Sequence, residues 1–197
     1  YPVIFAKGIS DDYSSMHTGT DVVSLDLSGS SVIQGVSTGP DISLDTDLAG
    51  YQTVSFDNIS FKWKIIGDSL RVQLVMPSTG WVAIGFRPTE EMQNANFIIG
   101  YVSNGIAYLR DDFGDSETTH TSDVTLGGTN DVRRVFGRES NGSTEVRFTI
   151  PLNSGDMYDR QIISGNQIKI IFAYGGNGTD NFNSMHAYEN DRDITID

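Results

Sequence analysis

The chain has no cysteine in its 197 residues. That removes disulfide frameworks, thiolate metal sites, c-type haem attachment and cysteine nucleophiles from consideration. No stretch of about 18 apolar residues occurs, so no transmembrane helix is expected. Cationic side chains are scarce: 13 Lys and Arg stand against 26 Asp and Glu, a formal net charge of −13. Such a surface opposes nucleic acid and anionic membrane as partners and suits a basic or cationic one. Helical periodicity is nearly absent; the only helix-like pieces are short, at 89–95 and 153–162. There is no nucleophile elbow, P-loop or HExxH motif, and the acidic residues are too many for a catalytic carboxylate pair to stand out. Tyr1, not Met, stands first, which raises the expectation of a removed leader or anchor and of an extracytoplasmic setting: secreted, periplasmic or cell-surface.

What the chain does have is glycine (21), aromatics (10 Phe, 8 Tyr, 2 Trp) and many short apolar runs. Gly/Asn/Asp/Ser clusters separate these runs, which is the pattern of strands and turns. The stretch from Gly80 to Gly105 organises the rest. Trp81 to Phe86 is almost continuously apolar, as for a strand covered on both faces. Pro88 and the polar run 89–93 stop the sheet pattern. Phe97 to Val102 resumes it, and Asn104-Gly105 is a strong hairpin signal. Upstream, Phe56 to Ile66 and Leu70 to Met76 alternate. Downstream, 132–138 and 144–150 form a hairpin around Ser140-Asn141-Gly142, and 167–174 is a central strand. Residues 193–197 read as a terminal strand. About ten strands suit an all-β fold, an antiparallel two-sheet immunoglobulin-like β-sandwich. Residues 1–54, poorer in apolar side chains, read as an N-terminal extension packed on the sandwich, and 55–197 as the domain itself.

Two segments that interrupt the strands stand out, one carrying Met92 and one, between Tyr174 and Asp193, carrying His186. Long loops are uncommon unless functional. Together these residues offer one thioether and one imidazole, a known axial pair for low-spin haem iron; without cysteine the haem would be non-covalent haem b. A lone Met is otherwise a gap-filler and a lone His a solvated side chain, and residue chemistry alone leaves both readings open. His17 and His120 are spare imidazoles. Asp111, Asp112 and Asp115 form an acidic cluster with calcium-binding composition, or a solvated turn.

The run Gly-Trp-Val-Ala-Ile-Gly-Phe, followed by Met92, Ala95, Ile-Ile-Gly and a Ser-Asn-Gly hairpin, resembles the DOMON domain family. So does Ile171-Phe172-Ala173-Tyr174-Gly175 with His186, Arg192 and a final strand. The resemblance spans about 56–197 and implies a β-sandwich that binds haem b or, in other members, sugars and small aromatics. In haem-binding members, among them the cytochrome domain of cellobiose dehydrogenase, the ligands are a Met after the first of these strands and a His in the last long loop. They correspond here to Met92 and His186. The implied function is a haem b electron-transfer (cytochrome) domain with six-coordinate iron, an electron carrier rather than a catalyst by itself. It would serve a redox partner with a basic docking surface. The alternative is a non-redox module for a sugar or small aromatic. Trp81, Phe97, Tyr101, Phe172 and Tyr174 are the expected walls, and Arg87 the expected propionate partner.

Overall fold

The computed structural model describes residues 48–197, together with the backbone of three strands further upstream. These three are β1 (Pro2–Lys7), β2 (Gly19–Ser24) and β3 (Val36–Pro40). His17 lies outside the described residues. The chain divides into two units, 1–33 and 34–197. In the first, β1 and β2 form an antiparallel hairpin.

The second unit contains two antiparallel sheets, as the alternation of the sequence predicts. One has the order β11-β12-β6-β5-β4, built from β4 (Gln52–Phe56), β5 (Ile59–Ile66), β6 (Ser69–Met76), β11 (Arg133–Ser140) and β12 (Ser143–Pro151). The other runs β10-β9-β8-β7-β13-β14. Its members are β7 (Val82–Phe86), β8 (Asn96–Ser103), β9 (Ile106–Phe113), β10 (Thr121–Ser122), β13 (Asn166–Gly175) and β14 (His186–Ile196). β3 pairs with β9 from Val36↔Arg110 to Pro40↔Ile106, so part of the first 54 residues supplies a strand to this sheet.

Local chemistry sets the turns. Asn104 and Gly105 both have positive φ (51° and 73°), as do Asn141 and Gly142 (52° and 75°). Two successive left-handed residues make the tight turn that matches the twist of a hairpin. Asp57 and Asn58 (46° and 63°) do the same, and they split what alternation alone reads as one strand from Phe56 to Ile66. Neither expected helical piece is a helix. Among the described residues the only α-helix is α1 (Asp123–Leu126), capped by the Ser122 side chain, which accepts from the Thr125 N–H. Four residues are too few to show a helical period in the sequence.

Between the sheets lies the main core. Phe61, Phe86, Phe148 and Phe172 are fully buried, with Ile59, Leu70, Leu74, Met76, Ile84, Leu109 and Ile170 around them. Phe61 stacks on Trp63 (4.8 Å between centroids), and Phe172 meets Phe56 and Phe61 edge-on at 5.1 and 5.6 Å. Strand alternation then decides everything on the second sheet. If Val82, Ile84 and Phe86 face the core, then Ala83 and Gly85 face outward; if Ile170 and Phe172 face it, Ile171 and Ala173 face outward. Yet those outward residues are buried too: Ala83 is 4% exposed, Ile171 6% and Ala173 8%. Something covers the outer face of β8-β7-β13, and that cover makes the site.

Truncation of Phe172 to Ala should cost about 3–5 kcal/mol in urea unfolding, as for an aromatic removed from a packed core. A loss below about 1 kcal/mol, usual for surface positions, would contradict its place between the sheets.

Candidate functional site

A cavity of about 530 Å³ lies on that outer face. Its apolar floor is Ala83 of β7, Phe97 and Ile99 of β8, and Ile171 and Ala173 of β13, with Trp81 at one end. Glycine and alanine make the room. A Cβ on Gly85 would sit 2.3 Å from the Phe97 ring, so the ring lies flat across the backbone there. The volume falls within the range of about 300–1,000 Å³ usual for small-molecule and cofactor sites.

Three segments wall the cavity. The first, between β7 and β8, brings Glu91 and Met92. Glu91 and Asn94 are left-handed (φ 45° and 61°), and the segment is cross-braced from Thr89 N to Gln93 O (2.9 Å), Gln93 N to Glu90 O (2.8 Å) and Ala95 N to Met92 O (3.1 Å). It is tied to the second wall, 114–120, through Asn94 N to Gly114 O (2.7 Å) and Met92 N to Glu117 O (3.3 Å). Gly114 is required: a Cβ would stand 1.8 Å from the Met92 carbonyl oxygen. The third wall, 176–185, contributes Asn183, Ser184 and Met185. Its anchors are Phe182, buried against Tyr101 (5.0 Å) and under the Arg110 guanidinium (4.4 Å), and the Asn181 side chain, which accepts from the N–H groups of Asn183 and Ser184.

His186 also lines this cavity. Far apart in sequence, the thioether and the imidazole are brought to one space. The histidine is not in the middle of a long loop as the sequence suggests. It is the first residue of β14, opposite Gly175 at a register shift between Tyr174 and Gly175. The polar alternation of an edge strand hid the first seven residues of β14, 186–192.

His120 shares the cavity and is held in place more firmly. Its Nδ1 is 2.6 Å from Asp112 Oδ2, and the Arg110 guanidinium grips the same carboxylate with Nε and Nη2, each at 2.6 Å. Asp112 is fully buried. Burial alone would raise its carboxyl, but hydrogen bonds from His120 and Arg110 overcome that and hold it below the ordinary value. A carboxylate on one ring nitrogen fixes orientation and tautomer and leaves the other nitrogen for a ligand.

The other expected residues divide. Trp81 and Phe97 line the cavity. Trp81 is 5% exposed, and its indole N–H has no acceptor among the described residues. Tyr101 does not line it: on the same face, it stacks on Tyr108 at 5.1 Å behind Phe182. Phe172 and Tyr174 are corrections, since the period of two turns both to the core side, where Tyr174 stacks on Tyr188 at 4.9 Å. Arg87 is a correction too. It borders a separate cavity of about 290 Å³ with Arg160 and Lys169, and its guanidinium donates to the Gln161 carbonyl. Lys169 is the cation that does line the main cavity, 3.2 Å from Asp191; Glu91, Glu117, Glu189 and Asp191 make the remainder of the rim acidic.

Fold and cavity together define a two-sheet β-sandwich domain with a cavity on the outside of one sheet. Residues 55–175 match the DOMON domain, and the chain belongs to that family. It is 28% identical over 112 residues to human DBH-like monooxygenase protein 1, an overlap of 57% of this chain and 18% of the relative. Mouse DBH-like monooxygenase protein 2 is 28% identical over 146 residues, 74% of this chain and 22% of its own length. The Drosophila melanogaster protein MOXD1 homolog 2 is 26% identical over 120 residues, 60% of this chain and 15% of its own. The chain thus spans about a fifth of the relatives it matches.

The Asp112 anchor has a pH signature. A carboxyl whose folded value is depressed adds stability above its unfolded value of about 3.9 and loses it as pH falls through the lower folded one. Asp112→Asn should therefore lower stability at pH 7 by about 3 kcal/mol, the scale of a broken buried ion pair, and by much less at pH 2–3, read by urea unfolding at both pH values. Equal stability of variant and parent at pH 7 would contradict the anchor. Gly114→Ala should cost about 1–3 kcal/mol through displacement of the Met92 segment, visible as a lower melting temperature; an unchanged one would contradict the close approach.

Proposed function

We propose that this domain binds haem b in the cavity on the outer face of the β8-β7-β13 sheet, with Met92 and His186 as axial ligands, and passes single electrons to or from a partner. The observation that carries this reading is the meeting of a thioether and an imidazole from distant segments over one apolar floor. The residues fit the group. The floor is built of ring and aliphatic side chains, the donor set is soft sulfur plus imidazole, and two strong axial ligands leave no open coordination position. Bound haem would supply one-electron redox chemistry between ferrous and ferric iron.

The chain's own residues do the rest. Trp81, Phe97, Ile99 and Ile171 exclude water from the floor. Lys169, in place of Arg87, is the candidate partner for a propionate. The two braced segments keep Met92 in position, so that little reorganisation accompanies a change of charge. The acidic rim, and the net charge of −13, would steer a basic or cationic redox partner. An extracytoplasmic setting and the role of carrier rather than catalyst belong to the same proposal.

A second reading within it rests on the buried Asp112. Because that carboxylate fixes the His120 ring, His120 is the preorganised imidazole, and a bis-imidazole site with His186 is the competing ligand set. The non-redox alternative, a sugar or small aromatic over Trp81, uses the same floor without either histidine.

The purified domain, loaded with haem, should give a sharp Soret band and split α and β bands on reduction. Met92→Ala should turn the spectrum towards high spin and lower the reduction potential. An untouched spectrum in Met92→Ala, with loss of the low-spin form in His120→Ala, would assign the iron to the two histidines. Protein that takes up no haem but binds an oligosaccharide would overturn the electron-transfer reading.

A further inference from the structure

On the core-facing side of the same sheet, at the end where β9 meets α1 and the 153–160 segment, four aspartates gather. Ligand oxygens of Asp111, Asp131 and Asp159 all lie within 4.8 Å of one another. Asp123, the first residue of α1, is charge-coupled to Asp111 and Asp159. Asp111 is 1% exposed and Asp123 0%. Among the described residues no lysine or arginine neutralises the group from within: the Arg133 guanidinium reaches Asp131 from outside, at 3.5 Å and itself 73% exposed.

The hydrogen bonding is incomplete in one direction only. Asp111 Oδ2 accepts from the Asp131 N–H (3.0 Å), Asp131 Oδ2 from Thr129 (2.9 Å), and Asp159 Oδ1 from the Asn96 amide. Left over are Asp111 Oδ1, both Asp123 carboxylate oxygens, Asp159 Oδ2 and Asn96 Oδ1, all buried without a partner. They are five of the eight such side-chain atoms among the described residues, and every one is an oxygen acceptor. Buried polar groups are almost always satisfied, and a like-charged cluster repels itself in a low dielectric. Burial, then the charges of neighbouring aspartates, push the Asp123 carboxyl up to about 8; Asp111 is driven well above the ordinary range and Asp159 to about 6.

We propose that Asn96, Asp111, Asp123, Asp131 and Asp159 form a binding site for one divalent cation, calcium by donor chemistry. All the donors are hard oxygens without sulfur or imidazole, and carboxylates drawn from separate segments suit the large, irregular shell of calcium better than the strict octahedron of magnesium. The site pins α1 and the 153–160 segment to β9. It is independent of the haem reading, since the sheet backbone separates it from the cavity: Asp111 points to one side and Asp112, holding His120, to the other.

The test is a calcium titration of the whole chain after removal of metal with a chelator. Calcium alone should bind at one equivalent by calorimetry and raise the melting temperature by about 5 °C or more at saturation, with magnesium weaker. Without metal, stability should fall as pH rises from about 5 to 8, because the folded state holds protons that the unfolded chain releases; calcium should abolish that slope. Asp159→Asn and Asp111→Asn should each weaken calcium binding at least tenfold. Asp159→Asn, which removes repulsion, should leave the metal-free protein as stable as the parent or more so, so that lost binding is not mistaken for lost folding. No heat and no thermal shift at millimolar calcium, magnesium binding tighter than calcium, or an unchanged affinity in Asp159→Asn would each overturn the site.

Discussion

The structure depends on one constraint, the two-residue period of β7, β8 and β13. Each strand in the middle of the second sheet must commit alternate side chains to opposite faces, and here both sets are apolar. One set builds the core between the sheets, with Phe86, Phe172 and Ile170 fully buried. The other, Ala83, Phe97, Ile99, Ile171 and Ala173, has no second sheet against it among the described residues, and the three connecting segments fold over it. Because Ala83, Gly85 and Ala173 are small, that cover does not close, and a cavity remains. A cavity on the outside of the sandwich is therefore a consequence of how the strands divide their side chains.

Electrostatics adds a second division on the same principle. Asp111 and Asp112 are neighbours in β9 and point to opposite faces. Asp112 meets Arg110 and His120 and stays ionised below the cavity. Asp111 meets three further aspartates, with burial and repulsion favouring its proton. One strand thus carries an anchored carboxylate on one side and a frustrated one on the other. Neighbouring Asn96 and Phe97 of β8 split in the same way, Phe97 to the cavity floor and Asn96 to the aspartates.

Much of this was legible in the sequence. The continuous apolar run from Trp81 to Phe86 announced a strand covered on both faces, and Asn104-Gly105 and Asn141-Gly142 fixed two hairpins by the turn geometry they demand. Met92 and His186 do share a cavity. What could not be read was which of two alternating sets faced it. Phe172 and Tyr174 attract attention by size, yet the period places the small Ala173 and the plain Ile171 on the floor. Helix α1 is too short for a periodic signal, and β14 hides its first seven residues in an edge strand's polar pattern. The acidic cluster was visible as Asp111, Asp112 and Asp115, but the fold breaks it up: Asp115 turns to Thr119 and Thr121, and the partners of Asp111 come from 12 to 48 positions downstream.

The claim on which the functional account rests is that sulfur and imidazole meet at one metal over this floor. Near-infrared magnetic circular dichroism of the oxidised, haem-loaded domain tests it most directly, since the energy of the ligand-to-iron charge-transfer band separates Met–His from His–His ligation. The account predicts the Met–His band. A His–His band, or a spectrum of high-spin iron, would contradict it.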